Sequence, residues 1–495
     1  MTEILALLQN IAPLLEPTTL RQLSHVIYGM LVASGRITML GLSRWTEKGG
    51  SYRTIQRLYQ SRLPWEAINW LFFRRRFLPE TVGELEITGP APQLIEVIPT
   101  TALELTPPVG VVPTQATAPT VPSPPVDEYI IAGDEVVISK AGDKTHGLDR
   151  FFSGVQQQVI PSIALFTFSL VNVRTEQAHP MQTTQVVKSA EEKAASKVKA
   201  AAKKAHKTGE KKPVGRRKGS KNKDKQAVAL NPELVRIKKG LHSLLAMVGT
   251  LLSLKYVVMD GHFGNYPSAF MVMGTGLHLI SKLRSDAALY SAFEGDHRGR
   301  GPKPKYGPKL DVSQLEAKYL KDTSIEDQVR TDIYQGQFYN KEFAFPLNVV
   351  VILKTHLKTH AQARVILFST DLEQTYDTIS KFYRLRFKIE FNFRDAKQYF
   401  GLEDFMNVTE DGVTNAANIA LFMVNFSQEL LQPFRQQNPD YSILDLKSHY
   451  RGYRYVNEVI KLLPEKPDAI LLADILRQIS QLGAIHPLSH PASSP

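Results

Sequence analysis

The spacing of apolar positions changes twice along the chain. Through residues 1–85 it is helical. "TLRQLSHVIYGMLVASG" places Leu, Val, Ile and Met three and four apart and ends on Gly35. "GLSRWTEKGGSYRTIQRLYQS" then predicts a short helix, a break at Gly49–Gly50 and a basic helix, the layout of a helix-turn-helix that reads DNA. From residue 128 the period becomes two. "EYIIAGDEVVIS" and "VIPSIALFTFSLVNVR" read as strands, and "KYVVMDGHFGN" as a short buried strand ending at Asp260. "HLISKLR" (278–284) and the alternating stretch 329–371 add more strands, while 232–254 predicts an amphipathic helix. Past 374 the helical period returns, with one helix to 400 and others over 412–434, 440–463 and 467–483. Helices, then strands with helices among them, predict an α/β fold behind an N-terminal helical domain.

Composition divides this pattern into units. Ten of the 30 prolines lie between Pro90 and Pro125, so 86–127 reads as a semi-extended linker. Net charge is +12, and residues 188–225 hold fifteen Lys or Arg against four acids. Nearly all the excess charge therefore sits in one segment, which points to a polyanion partner, most simply nucleic acid. Within it, "GRRKGSKNK" (215–223) looks like an AT-hook without the Arg-Gly-Arg-Pro core. Arg216, Arg217 and Lys218 read better as a salt-sensitive phosphate tether. The chain has no cysteine, which excludes disulfides and cysteine-bound zinc. Its N-terminus lacks the marks of a signal peptide, and its longest apolar runs fall short of the ~20 residues that span a bilayer. The expected place is the cytoplasm, on the nucleoid, with no membrane partner.

The most informative stretch is "FYRLRFKIEFNFRDAKQYF", residues 382–400. Advancing about 100° per residue from Tyr383, Arg386 falls at about 300°, Glu390 at about 340°, Arg394 at about 20° and Lys397 at about 320°. Leu385, Ile389, Phe393 and Ala396 form an apolar face directly beside that stripe. A solvated helix mixes its charge signs and sets them opposite its core. Here one carboxylate is flanked by bases and a phenol, which fits a cation-binding acid among groups that grip phosphate.

Tyr383, Arg386, Glu390 and Lys397 make up Tyr-x2-Arg-x3-Glu-x6-Lys, and this resembles the signature of bacterial insertion-sequence transposases of the DDE type. The resemblance covers roughly 128–435. It implies an RNase H-like catalytic domain in which two strand-borne aspartates join the helix glutamate. Asp260, ending a buried strand before a glycine, suits the second aspartate. For the first, Asp127, Asp134, Asp143 and Asp149 compete. Asp134 lies in a strand pattern and precedes "EVVISKAGDKTHG", which looks like the family's first-aspartate box, so Asp134 is preferred, with Glu135 the neighbour most easily confused with it. The 130 residues between Asp260 and Glu390 imply a β-rich insertion at 285–371. The expected organisation is a DNA-binding domain (1–85), linker (86–127), catalytic domain (128–435, with basic insert 188–225) and C-terminal helices with a tail (436–495).

The resemblance further implies Mg²⁺, with Mn²⁺ as a substitute, held by Asp134, Asp260 and Glu390. Two such ions about 3.5–4 Å apart serve both ends of an in-line displacement at phosphorus. Arg386, Arg394 and Lys397 would hold phosphates and Tyr383 the DNA backbone or a displaced base, with a homodimer on paired transposon ends cutting them and joining them to target DNA. Two alternatives remain: another RNase H-like nuclease, or a transposase-derived DNA-binding protein without catalysis.

Overall fold

A computed structural model describes residues 2–46, 49–78, 128–207, 228–296 and 301–488. The Pro-rich stretch 86–127 lies outside them, as do Arg216, Arg217 and Lys218. Five helices come first: α1 (Thr2–Leu8), α2 (Pro17–Val32), α3 (Met39–Trp45), α4 (Tyr52–Gln60) and α5 (Trp65–Phe77). Thr38 and Ser51 cap α3 and α4 by accepting the Gly41 and Thr54 amides. Helix α4 buries Ile55, Leu58 and Tyr59 and turns Tyr52, Arg53, Arg57 and Gln60 to solvent.

The strands β1 (Tyr129–Ser139), β2 (Asp149–Ser153), β3 (Gln158–Asn172) and β4 (Ala178–Val186) follow, then α6 (Ala190–Lys207) and α7 (Pro232–Val248). Next are β5 (Tyr256–Met259), α8 (Tyr266–Met273), β6 (His278–Leu283), β7 (Leu289–Ala292), β8 (Tyr306–Lys309), β9 (Leu320–Glu326), β10 (Val329–Asn340), β11 (Leu347–His356) and β12 (Gln362–Ser369). The chain then turns helical as α9 (Tyr376–Leu385), α10 (Lys388–Phe400), α11 (Glu410–Arg435), α12 (Ile443–Leu462) and α13 (Ala469–Ser480).

The twelve strands among the described residues belong to one mixed sheet, whose main path runs β2-β3-β1-β5-β6-β12-β11-β10-β7-β8. β4 lies antiparallel on β3, and β3 antiparallel on β1; β1, β5 and β6 run parallel. The strands between 289 and 369 continue the sheet from β6, with Leu283 opposite Ile366.

The pleat of β1 divides the core in two. Ile130, Ala132, Val136 and Ile138 face the layer of α9, α10 and α11, where Phe382, Ile389 and Phe422 are buried; Leu23 and Ile27 of α2 share this core. Tyr129 and Ile131 face α7, through Leu234, Ile237, Leu241 and Leu244. Asn415 of α11 ties the N-terminal helices in. Its amide donates to the Leu58, Tyr59 and Ser61 carbonyls, and its oxygen accepts Trp65 Nε1 at 2.7 Å.

Two expected helices differ. The one beginning at 232 stops at Val248, because Gly249 takes a positive φ of 57°. The one expected over 374–400 is interrupted at Arg386–Phe387. Both residues keep right-handed torsions, but the Phe387, Ile389 and Glu390 amides bond three residues back instead of four, which tightens the turn.

Candidate active site

Local pairing sets the two aspartates. β5 pairs with β1 only from Ile131 to Gly133, so Asp134 is the first β1 residue beyond that ladder, where the strand edge opens. Asp260 is the first residue after β5. Its Oδ1 accepts the His262 amide at 3.1 Å, and its carbonyl accepts Ser281 Oγ of β6 at 2.7 Å. The turn needs Gly264, since a Cβ there would overlap the Lys282 carbonyl. Glu390 stands in the first turn of α10, with its side chain half exposed.

Arg386 joins two of these acids. Its Nη1 donates to Asp134 Oδ2 at 2.9 Å and its Nη2 to Glu390 Oε1 at 3.0 Å. The residue is 4% exposed, so this guanidinium is an internal counter-ion and its terminal nitrogens are engaged. Burial pushes the Asp134 carboxyl up to about 6 against the pull of Arg386, and the charges of Asp260 and Glu390 push the same way. Burial alone would lower the Arg386 pKa, but Asp134 and Glu390 outweigh it and hold it raised. Tyr383 lies half-buried one turn before Arg386, its phenol also raised by burial.

The other side of β1 carries a second group of charges. Glu135 faces the start of α7, where burial and then the charge of Glu233 push its carboxyl up to about 7. Glu233 accepts His262 Nε2 at 3.2 Å. A cleft of about 770 Å³ opens here, with Asp134, Glu135, Asp260 and His262 in its wall. Alternation along β1 is the signal that separates Glu135 from Asp134. Its partner Glu233, 98 residues downstream, carries no local signal. Of the other candidates, Asp143 lies in a loop, and Asp149 is within 3.9 Å of Lys188 and 3.7 Å of Lys193.

The donor chemistry fits a hard divalent cation: carboxylate oxygens from two strands and a helix, at least two of them close enough to raise the cost of ionising Asp134. Among the described residues no three His, Asp or Glu side chains are gathered to hold an ion. Asp134 and Glu390 instead sit on different nitrogens of one guanidinium.

Along α10, Lys397 Nζ lies 2.7 Å from Glu403, and Arg394 pairs with Asp395 at 3.0 Å. Phe387 and Phe391, which the sequence pattern did not single out, are exposed beside Glu390. The guanidinium carbons of Arg386 and Arg394 lie 4.4 and 4.8 Å from their ring centroids. No helix among the described residues is long and apolar enough to cross a membrane.

The family model described as DDE superfamily endonuclease matches residues 10–97 and 112–337, more than half of the chain. The match includes Asp134 and Asp260 and ends before Glu390. No curated protein matches the chain.

Proposed function

The chain belongs to the DDE superfamily endonucleases, and on that premise we propose that it is a transposase that cuts the ends of its own element and joins their 3′-OH groups to target DNA. The observation that carries this reading is the meeting of Asp134, from β1, and Glu390, from α10, on one guanidinium, with Asp260 at the end of the adjoining parallel strand. The order β4-β3-β1-β5-β6, antiparallel to β1 and parallel beyond it, supports an RNase H-like catalytic domain. So does the place of the two aspartates, one inside the first strand and one just past β5.

Asp134, Asp260 and Glu390 would hold the divalent cations, Mg²⁺ or its substitute Mn²⁺. Bound there, these ions supply an activated nucleophile and a stabilised leaving oxygen for in-line displacement at phosphorus. The chain's own residues bind and orient the DNA. Lys397 and Arg394 line the approach to Glu390 with positive charge, and Phe387 and Phe391 offer exposed faces to unpaired bases. Arg53, Arg57 and Tyr52 on the outer face of α4 are the groups to read terminal DNA in a groove. Arg216, Arg217 and Lys218 add a sequence-independent tether. Two copies act on paired ends.

The test is an end-joining assay with the DNA that borders the gene, supercoiled target DNA and Mg²⁺. The transposase reading predicts joined products. Cleavage without joining would assign another nuclease of the superfamily, and binding alone a chain that has lost catalysis.

A further inference from the structure

Arg386 does something that a phosphate grip facing solvent would not. Its guanidinium is buried, it spends one terminal nitrogen on Asp134 and the other on Glu390, and its Nε is buried with no partner. The ring of Phe387 packs 4.4 Å from its central carbon. A guanidinium cannot be neutralised inside a protein, and a buried charge is tolerated only when paired. The converse holds for the acids. Asp134 is held in a central strand with its side chain 18% exposed, so it needs a cation whether or not a metal is present.

The same contact ties the two acids to one internal cation. The guanidinium takes one oxygen of Asp134 and one of Glu390 on separate terminal nitrogens. With Arg386 on these oxygens, no three-ligand group is gathered for a metal among the described residues. The two acids differ in freedom. Asp134 also takes the Glu135 amide on Oδ1 at 2.8 Å, whereas Glu390 is half exposed on the first turn of its helix. Glu390 is the arm that can let go.

We propose that Arg386 is an internal stand-in for the divalent cation: it holds Asp134 and Glu390 in the metal-free protein, releases them as the cation binds, and only then turns its freed nitrogens to a DNA phosphate. This rests on the reading of Asp134, Asp260 and Glu390 as metal ligands. It makes guanidinium and metal competitors for the same oxygens. Arg386 therefore stabilises the metal-free fold and weakens metal affinity, and the order of events is metal first, phosphate grip second.

The experiment uses the full chain, stripped with chelator and free of DNA, with Mn²⁺ alone as the probe. Calorimetry gives the affinity, and thermal unfolding with and without Mn²⁺ gives the stability. Arg386→Gln is expected to bind Mn²⁺ about tenfold more tightly than the parent, to melt lower without metal, and to gain more from Mn²⁺. Arg386→Lys, which keeps the charge but not the two-armed fork, is expected to fall between, and it decides the matter if the glutamine variant does not fold. Equal or weaker Mn²⁺ affinity in the variant that folds would overturn the proposal. Asp134→Asn separates this failure from that of the site. If it removes Mn²⁺ binding while the Arg386 variants bind no tighter, only the stand-in role is lost. If it leaves Mn²⁺ binding intact, the ligand assignment fails, and the stand-in role with it.

Discussion

Asp134 and Glu135 follow each other on β1, and the pleat sends them to opposite faces of one sheet. Asp134 meets Arg386 at 2.9 Å; Glu135 meets the acidic start of α7 and the charge of Glu233. Burial raises both, to about 6 and about 7. The difference is in their company. Asp134 has a fixed cation and two more acids directed toward it from other elements. Glu135 has a second acid and a histidine that is itself bonded to Glu233. Desolvation therefore does not distinguish a reaction centre from a crowded edge. What distinguishes them is a fixed cation: the Arg386 guanidinium joins Asp134 to Glu390 of α10, whereas Glu135 faces Glu233, whose charge adds to the cost of ionising it.

The largest effect that separates the two faces is expected in DNA cleavage with Mg²⁺. Asp134→Asn should lower the single-turnover rate by on the order of 10³-fold or more, and Glu135→Gln by no more than about threefold. Equal losses would bring Glu135 into the centre. A smaller effect is expected in stability, measured in chelator. Folded Glu135 keeps its proton up to about 7, while its ordinary value is 4.5, so across that window the folded state binds more proton than the unfolded one. Stability must then fall as pH rises from about 4.5 to about 7. Glu135→Gln should remove part of this slope and gain about 1–2 kcal/mol at pH 8, with no gain at pH 4.5. Chemical denaturation at the two pH values reads it directly, and an unchanged slope would mean the carboxyl is ionised throughout. The smallest effects belong to the rim. Lys397→Ala should cost about tenfold in cleavage at limiting DNA, with the loss shrinking at higher salt, and Arg394→Ala only about two- to threefold, since its guanidinium is the more exposed of the two.

Much of this was legible in the sequence where the pattern is local. The alternation of "EYIIAGDEVVIS" places β1 and Asp134 within it, and the apolar run before Asp260 places β5. Arg386 and Glu390 stay on one side of the chain, in contact at 3.0 Å, because the torsions at Arg386 and Phe387 stay helical even where the hydrogen bonds tighten. That tightening leaves no mark in the side-chain pattern, which is why one helix was expected and two are found. Distance in sequence hid the rest. On a wheel, Arg386 points with the other bases toward an anion. In the fold Asp134, 252 residues earlier, turns it inward. The strands after β6 look like a separate block in sequence, because nothing local announces that Ile366 of β12 will lie beside Leu283.

Glu390 is the member of the centre that lies beyond the family match, so its role rests on the Tyr-x2-Arg-x3-Glu-x6-Lys spacing and on its meeting with Asp134 at Arg386. The direct test is Mg²⁺-dependent cleavage of the DNA bordering the gene by the parent and by Glu390→Gln, at protein concentrations that saturate binding for both. The parent is expected to cut, and the variant to bind the same DNA but leave it intact. A variant that cuts as fast as the parent would contradict that role of Glu390.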